Sequence, residues 1–154
     1  MESSLAEREA VYLLEQIKQH VDPADQKSAD KSAPTELTVY GVKVPMLRKI
    51  AKAWYRAHKE IARDDLFALA EVLWAAGSRE ERAVAFHLLE YYSHWVPDLP
   101  REHFDHWRPD LDSWVETDSL GWMLALWLMG DPDTRMDYLW DLIADEDVWS
   151  RRLA

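Results

Sequence analysis

Apolar side chains recur at three- and four-residue spacing along most of this 154-residue chain, and no stretch shows the period-two alternation of a strand. Breakers interrupt the pattern at short intervals: Gly41 and Pro45, Gly77, Pro97 and Pro100, Pro109, then Gly130-Asp131-Pro132. A chain patterned in this way is restricted to helices joined by tight turns. It has no Gly-rich phosphate loop.

Taken in order, Ser4-x-x-Glu7 is a capping box that opens a helix carrying Ala10, Leu13, Leu14, Ile17 and Val21 and running to about His20. Asp22 to Thr35 has little apolar content beyond alanine and reads as a loop, or at most a short helix opened by Pro23. The next helix, Met46 to Lys59, buries Leu47, Ile50, Ala51 and Trp54 on one stripe. Asp64 or Asp65 caps a helix with Leu66, Leu69, Leu73 and Trp74 that Gly77 closes, and Ser78-x-x-Glu81 is a second capping box. A short helix spans Arg101 to Trp107. Trp114 to Met129 is apolar nearly all round, which predicts a central helix; Trp54, Trp74, Trp122, Trp127 and Trp140 are expected in the core. Met136, Leu139, Trp140 and Ile143 make the next helix, and Asp145-Glu146-Asp147 caps the last, which holds Trp149, Arg151 and Arg152. Helices in such succession predict an all-α chain, an α-solenoid of about eight helices in antiparallel HEAT-like pairs within a single domain, residues 1–154.

Cysteine is absent, which excludes disulfides, thiolate catalysis and Cys-based zinc sites. No apolar run reaches the roughly 18 residues that span a bilayer, and the N-terminus carries acids where a secretory signal carries positive charge, so a cytoplasmic protein without membrane attachment is expected. The net charge of −11 argues against nucleic acid only when averaged. Gly41 to Arg63 holds seven bases against Glu60, whereas Glu102 to Trp149 holds 13 acids against Arg108 and Arg135. On the basic helix Arg48, Lys49, Lys52 and Arg56 are candidates for phosphate contact, a solvated face being the plainer alternative.

The chemistry is placed in Leu111 to Asp118, where Trp114 and Asp118 stand one helical turn apart. A flat π-surface beside a carboxylate suits a cationic ligand or a cationic transition state. The plainer reading puts Trp114 in the core and makes Asp118 the cap of a helix over Ser119 to Met129. His103 and His106 share a spacing suited to one helix face, but two histidines without a third ligand are more often surface residues, so no metal is expected.

Three separated stretches together resemble the DNA alkylation repair glycosylases of the AlkD type, which are HEAT-like solenoids. Gly41-Val42-Lys43-Val44-Pro45-Met46-Leu47-Arg48 is similar to the family's Gly-hydrophobic-x-x-Pro-x-x-Arg element. Val72-Leu73-Trp74 with Arg79-Glu80-Glu81-Arg82-Ala83-Val84-Ala85 resembles its Leu-Trp, Arg-Glu and Ala-rich helix. Ser113-Trp114 with Asp118, then Asp147-Val148-Trp149-Ser150-Arg151-Arg152, resembles its Trp-x-x-x-Asp and Trp-x-x-Arg elements.

The resemblance implies excision of cationic N3- and N7-alkylated purines from double-stranded DNA without extrusion of the base into a pocket, an exception to the usual flipping logic. It assigns Trp114 to packing on the deoxyribose, Asp118 to the catalytic carboxylate and Arg152 to the DNA backbone, with Arg151 the adjacent alternative. No cofactor is implied. A carboxylate about 4 Å from the developing charge, at an effective dielectric near 20, supplies at most about 4 kcal/mol, roughly 10³-fold in rate. Family members continue with further helices that carry another aromatic and more basic residues. The resemblance therefore implies that residues 1–154 are either the N-terminal portion of a longer solenoid or a shortened relative without its C-terminal cap and part of its DNA cleft and, alone, weak or inactive. A non-catalytic HEAT-repeat scaffold for DNA or protein is the competing expectation.

Overall fold

The computed structural model describes residues 3–154, and among them the chain is all-α: nine α-helices, two 3-10 turns and one isolated bridge between Thr38 and Ser78. The helices are α1 (Leu5–Lys18), α2 (Pro23–Ser32), α3 (Val44–Ala57), α4 (Arg63–Ala75), α5 (Arg79–Tyr91), α6 (Arg101–Trp107), α7 (Trp114–Gly130), α8 (Pro132–Ile143) and α9 (Val148–Leu153). The 3-10 turns cover Ser93–Asp98 and Arg108–Asp110. Two compact units form, the first ending at Tyr91 and the second running from Tyr92 to Ala154.

In the first unit α1 packs on α4, and α5 packs on both α3 and α4. The capping box of α1 is complete: Glu7 N–H donates to Ser4 Oγ at 3.2 Å and Ser4 N–H donates to the Glu7 carboxylate at 2.7 Å. Leu13, Ile17, Leu66 and Leu73 are sealed from solvent, each contributing about 1.5–3 kcal/mol of burial. Three local expectations change. The polar segment after Asp22 takes its helical alternative, because Asp22 Oδ1 accepts from Ala24 N–H at 2.8 Å and Pro23 is preset for a first position. Neither Asp64 nor Asp65 is the cap of α4; Ala62 holds that position, and both acids sit in the first turn, where they complement the helix dipole. Helix α3 runs Val44–Ala57, so Pro45 is its second residue.

A buried polar clasp sets the entry to α3. The Glu80 carboxylate, on the first turn of α5, accepts from the backbone N–H groups of Tyr40 at 3.0 Å, Gly41 at 2.9 Å and Val42 at 3.3 Å. Beside it the Arg79 guanidinium donates to Ala33 O at 2.8 Å, while Arg82 lies over the Trp74 ring at 4.1 Å and donates to Trp74 O. Ser78 Oγ accepts from Glu81 N–H at 3.1 Å and donates to the Glu81 carboxylate at 2.6 Å. Burial pushes the Glu81 carboxyl up, the Ser78 hydroxyl opposing it. Gly41 is required here: its φ is +84°, and a Cβ would meet Asp22 O and stand 2.6 Å from Gln26 N. The Arg-Glu-Glu-Arg run of α5 is thus scaffold.

In the second unit α7 packs against the Ser93–Asp98 turn, α8 and α9. It buries Glu116, Thr117, Leu120, Met123, Leu124 and Trp127 on one side. Trp127 donates from Nε1 to Leu99 O at 2.9 Å and carries the Arg135 guanidinium over its ring at 4.4 Å. Arg135 also donates to Pro97 O at 2.9 Å and to Trp127 O, so this one side chain ties the start of α8 to the turn and to α7. The apolar residues of α7 continue onto its other side, and there they meet solvent. Trp122 is 43% exposed and, on α8, Trp140 is 63% exposed, so two of the five tryptophans expected in the core face solvent. Trp54, Trp74 and Trp127 are buried. Apolar residue type does not fix which side of a helix finds a neighbour.

Candidate active site

Helix α7 starts at Trp114 because Ser113 caps it, its Oγ accepting from Val115 N–H at 3.4 Å, while Thr117 Oγ1 returns a bond to Ser113 O at 2.8 Å. Asp118 is therefore one full turn inside the helix and caps nothing, which removes the plainer reading of that residue. Trp114 is 46% exposed and Asp118 is exposed on the same side. Glu116, between them in sequence, is turned into the core.

Helix α9 brings the third residue. Asp147 caps it by accepting from Ser150 N–H at 2.7 Å, and Asp145 accepts both Asp147 N–H at 2.8 Å and the Arg108 guanidinium at 2.6 Å. Leu153 is buried, and its carbonyl lies 3.7 Å from where a Cβ on Gly121 would stand, so α9 lies close against α7 just beyond Asp118. From that position Arg152 grips the Asp118 carboxylate with two parallel bonds, Nε to Oδ1 at 2.8 Å and Nη2 to Oδ2 at 2.9 Å. The bond from Arg152 holds the Asp118 carboxyl below the usual carboxylate range, and Asp118 in turn raises Arg152. Asp118 is consequently an anion at neutral pH. The pair joins residues 34 positions apart, a distance no local pattern reveals.

Trp114, Asp118 and Arg152 thus meet at one surface of the second unit. Arg151 is engaged differently: its Nη1 donates to the carbonyls of Asp145 at 2.8 Å and Glu146 at 2.7 Å, closing the turn between α8 and α9. Arg48, Lys49, Lys52 and Arg56 are all exposed on α3 in the first unit, opposite the buried Leu47, Ile50, Ala51 and Trp54. The His103 ring lies against Trp107 with centroids 5.4 Å apart, and no group of three His, Cys, Asp or Glu suited to a metal occurs among the described residues.

A concave surface of about 610 Å³ in the first unit, lined in part by Arg56, His58, Lys59 and Asp65, includes none of the α7 residues. It is open and shallow, and a polymer approached from its side needs an exposed reactive face more than an enclosed cavity. The α7 face offers an ionised carboxylate, an indole surface and a guanidinium already ordered in the two-pronged geometry that also fits a phosphate. A phosphate that takes Arg152 from Asp118 leaves the carboxylate free to face a cation.

Residues 13–154 match the model of the DNA alkylation repair enzyme family, and the chain belongs to that family. No individual curated protein matches it significantly. Family membership makes DNA alkylation repair the role of the chain and DNA its partner. Among the described residues no helix is long and apolar enough to cross a membrane.

Sequence reasoning misses the exposure of Trp122, which continues the four-residue step from Trp114 through Asp118. The step itself is the available signal, and the apolar residues around Trp122 mask it by pointing to the core.

Proposed function

We propose that the protein excises cationic N3- and N7-alkylated purines from double-stranded DNA by hydrolysing the N-glycosidic bond. The observation that carries this reading is the doubly hydrogen-bonded Asp118–Arg152 pair beside the exposed Trp114 ring. Alkylation leaves the base positively charged, so the C1′–N bond breaks with its electron pair departing on a neutral base. The sugar is left as an oxocarbenium-like cation, and water adds to C1′ and loses a proton. Asp118, ionised and exposed, stabilises that cation and orients the attacking water; Trp114 packs on the deoxyribose and excludes bulk solvent from one side. Arg152 meets the DNA backbone, exchanging one two-pronged acceptor for another. Arg48, Lys49, Lys52 and Arg56, with Arg151, contact phosphates without sequence preference. These roles require no cofactor.

The exposed Met136, Trp140 and Ile143 on α8 favour a second reading, a HEAT-repeat scaffold that binds DNA or protein without chemistry. Base release separates the two. With protein in excess over methylated duplex DNA, free N7-methylguanine and N3-methyladenine measured by mass spectrometry should rise above spontaneous depurination for wild type and not for Asp118→Asn. Release by neither form supports the scaffold.

A further inference from the structure

The exposed side of α7 extends past the proposed catalytic pair. Trp114, Asp118, Trp122, Ala125 and Met129 are all exposed, and at 100° per residue they fall within an arc of about 80°. Asp118 is thus flanked one turn on either side by a tryptophan. Both rings are large apolar surfaces left in solvent, 46% and 43% accessible, on a helix whose opposite side is sealed. No hydrogen bond, ion pair or ring contact among the described residues involves Trp122, so no packing role for its outward surface is evident.

Spacing decides what the second ring meets. Trp114 and Trp122 are separated by about 12 Å along the helix axis, whereas successive nucleotides of a strand rise about 3.4 Å. One nucleotide cannot span both rings. We propose that Trp122 contacts a nucleotide flanking the lesion, packing against its sugar or base edge, and so holds the strand across Asp118 while Trp114 serves the reacting sugar. The proposal rests on the reading of this face as the DNA-facing one. An indole suits the task because stacking and apolar contact are indifferent to base identity, as a repair protein that meets lesions in any sequence context requires. Trp122 is a strand-positioning contact, and its effect falls on binding more than on the chemical step.

The test is fluorescence anisotropy with a labelled duplex that holds one N7-methylguanine on a 2′-fluorinated sugar, which resists cleavage, together with single-turnover base release from the unfluorinated lesion duplex. Trp122→Ala should weaken binding about ten-fold, and Trp122→Phe should recover most of it. The single-turnover rate at saturation should change by less than the affinity does. Tyr12→Ala removes a comparably exposed aromatic of α1, 47% accessible, and should bind within about two-fold of wild type. Thermal melting checks that each variant folds. Trp122→Ala binding like wild type overturns the proposal, as does Tyr12→Ala weakening binding equally, or failure of the wild-type protein to bind the duplex. If release is absent while Trp122→Ala still weakens binding, the glycosylase reading fails and the contact stands. If release proceeds and Trp122→Ala binds normally, the contact fails and the reading stands.

Discussion

Glu80 in the first unit and Asp118 in the second are both carboxylates that accept more than one N–H, and the molecule treats them in opposite ways. Glu80 is 2% exposed and its donors are three successive backbone amides, fixed and unable to leave. Asp118 has half its side chain in solvent and its donor is a long flexible arginine that can swing to another acceptor. The buried carboxylate specifies a backbone path, because removing it orphans amides that water does not reach. An exposed ion pair contributes little to stability, because solvent and salt replace each partner readily. That freedom makes it available for chemistry.

The largest effect that separates the two is on folding. Glu80→Ala leaves three amides without their acceptor, those of Gly41 and Val42 buried, at about 1–3 kcal/mol for each group left buried and unsatisfied, so the loss should be on the order of 2–6 kcal/mol by urea unfolding. A loss below about 1 kcal/mol would show that the entry to α3 rearranges and that the clasp is not a fixed feature. Next, Arg152→Ala should reduce affinity for lesion-containing duplex about ten-fold and lower the salt dependence of binding by about one phosphate contact, with little change in unfolding midpoint. Binding that ignores both salt and Arg152 would remove the phosphate role of the pair.

Gly121→Ala tests the approach of α9 to α7. A Cβ there would stand at ordinary contact distance, 3.7 Å from Leu153 O, so the change should be neutral or stabilise the helix by up to about 1 kcal/mol. Base release should persist; its loss with folding intact would show that α9 cannot shift at all without moving Arg152. The smallest effect concerns pH. The folded-state pKa of Asp118 is lowered, so what the pair contributes to stability is present above the usual carboxylate range and lost only as pH falls through the lowered value. Between about pH 5 and 8 neither stability nor base release should show a step from Asp118, and a fall in stability near pH 6 that disappears in Asp118→Asn would contradict the ionised carboxylate.

The same contrast explains what the sequence revealed. Local rules placed the helices well where the determinants are adjacent: Ser4 with Glu7, Ser78 with Glu81, Gly77 as the stop of α4 at φ +82°. The Trp114–Asp118 step was legible for the same reason, both residues lying on one turn. The Glu80 clasp joins residues about 40 positions apart and the Arg152 grip joins residues 34 apart, so neither is written in any window of sequence. Trp122 and Trp140 are exposed against expectation because hydrophobicity predicts burial only when a neighbour covers the side chain. Arg151, matched by motif to the DNA backbone, also has a local use at the α8–α9 turn that only the folded chain reveals.

The division between a carboxylate that builds and a carboxylate proposed to react is tested most directly by measuring Asp118→Asn twice on the same preparation, by urea unfolding and by single-turnover release of N7-methylguanine. The account predicts a stability within about 1 kcal/mol of wild type and a release rate at least about 10²-fold lower. Undiminished release, or a collapse of stability that matches the loss of activity, would contradict it.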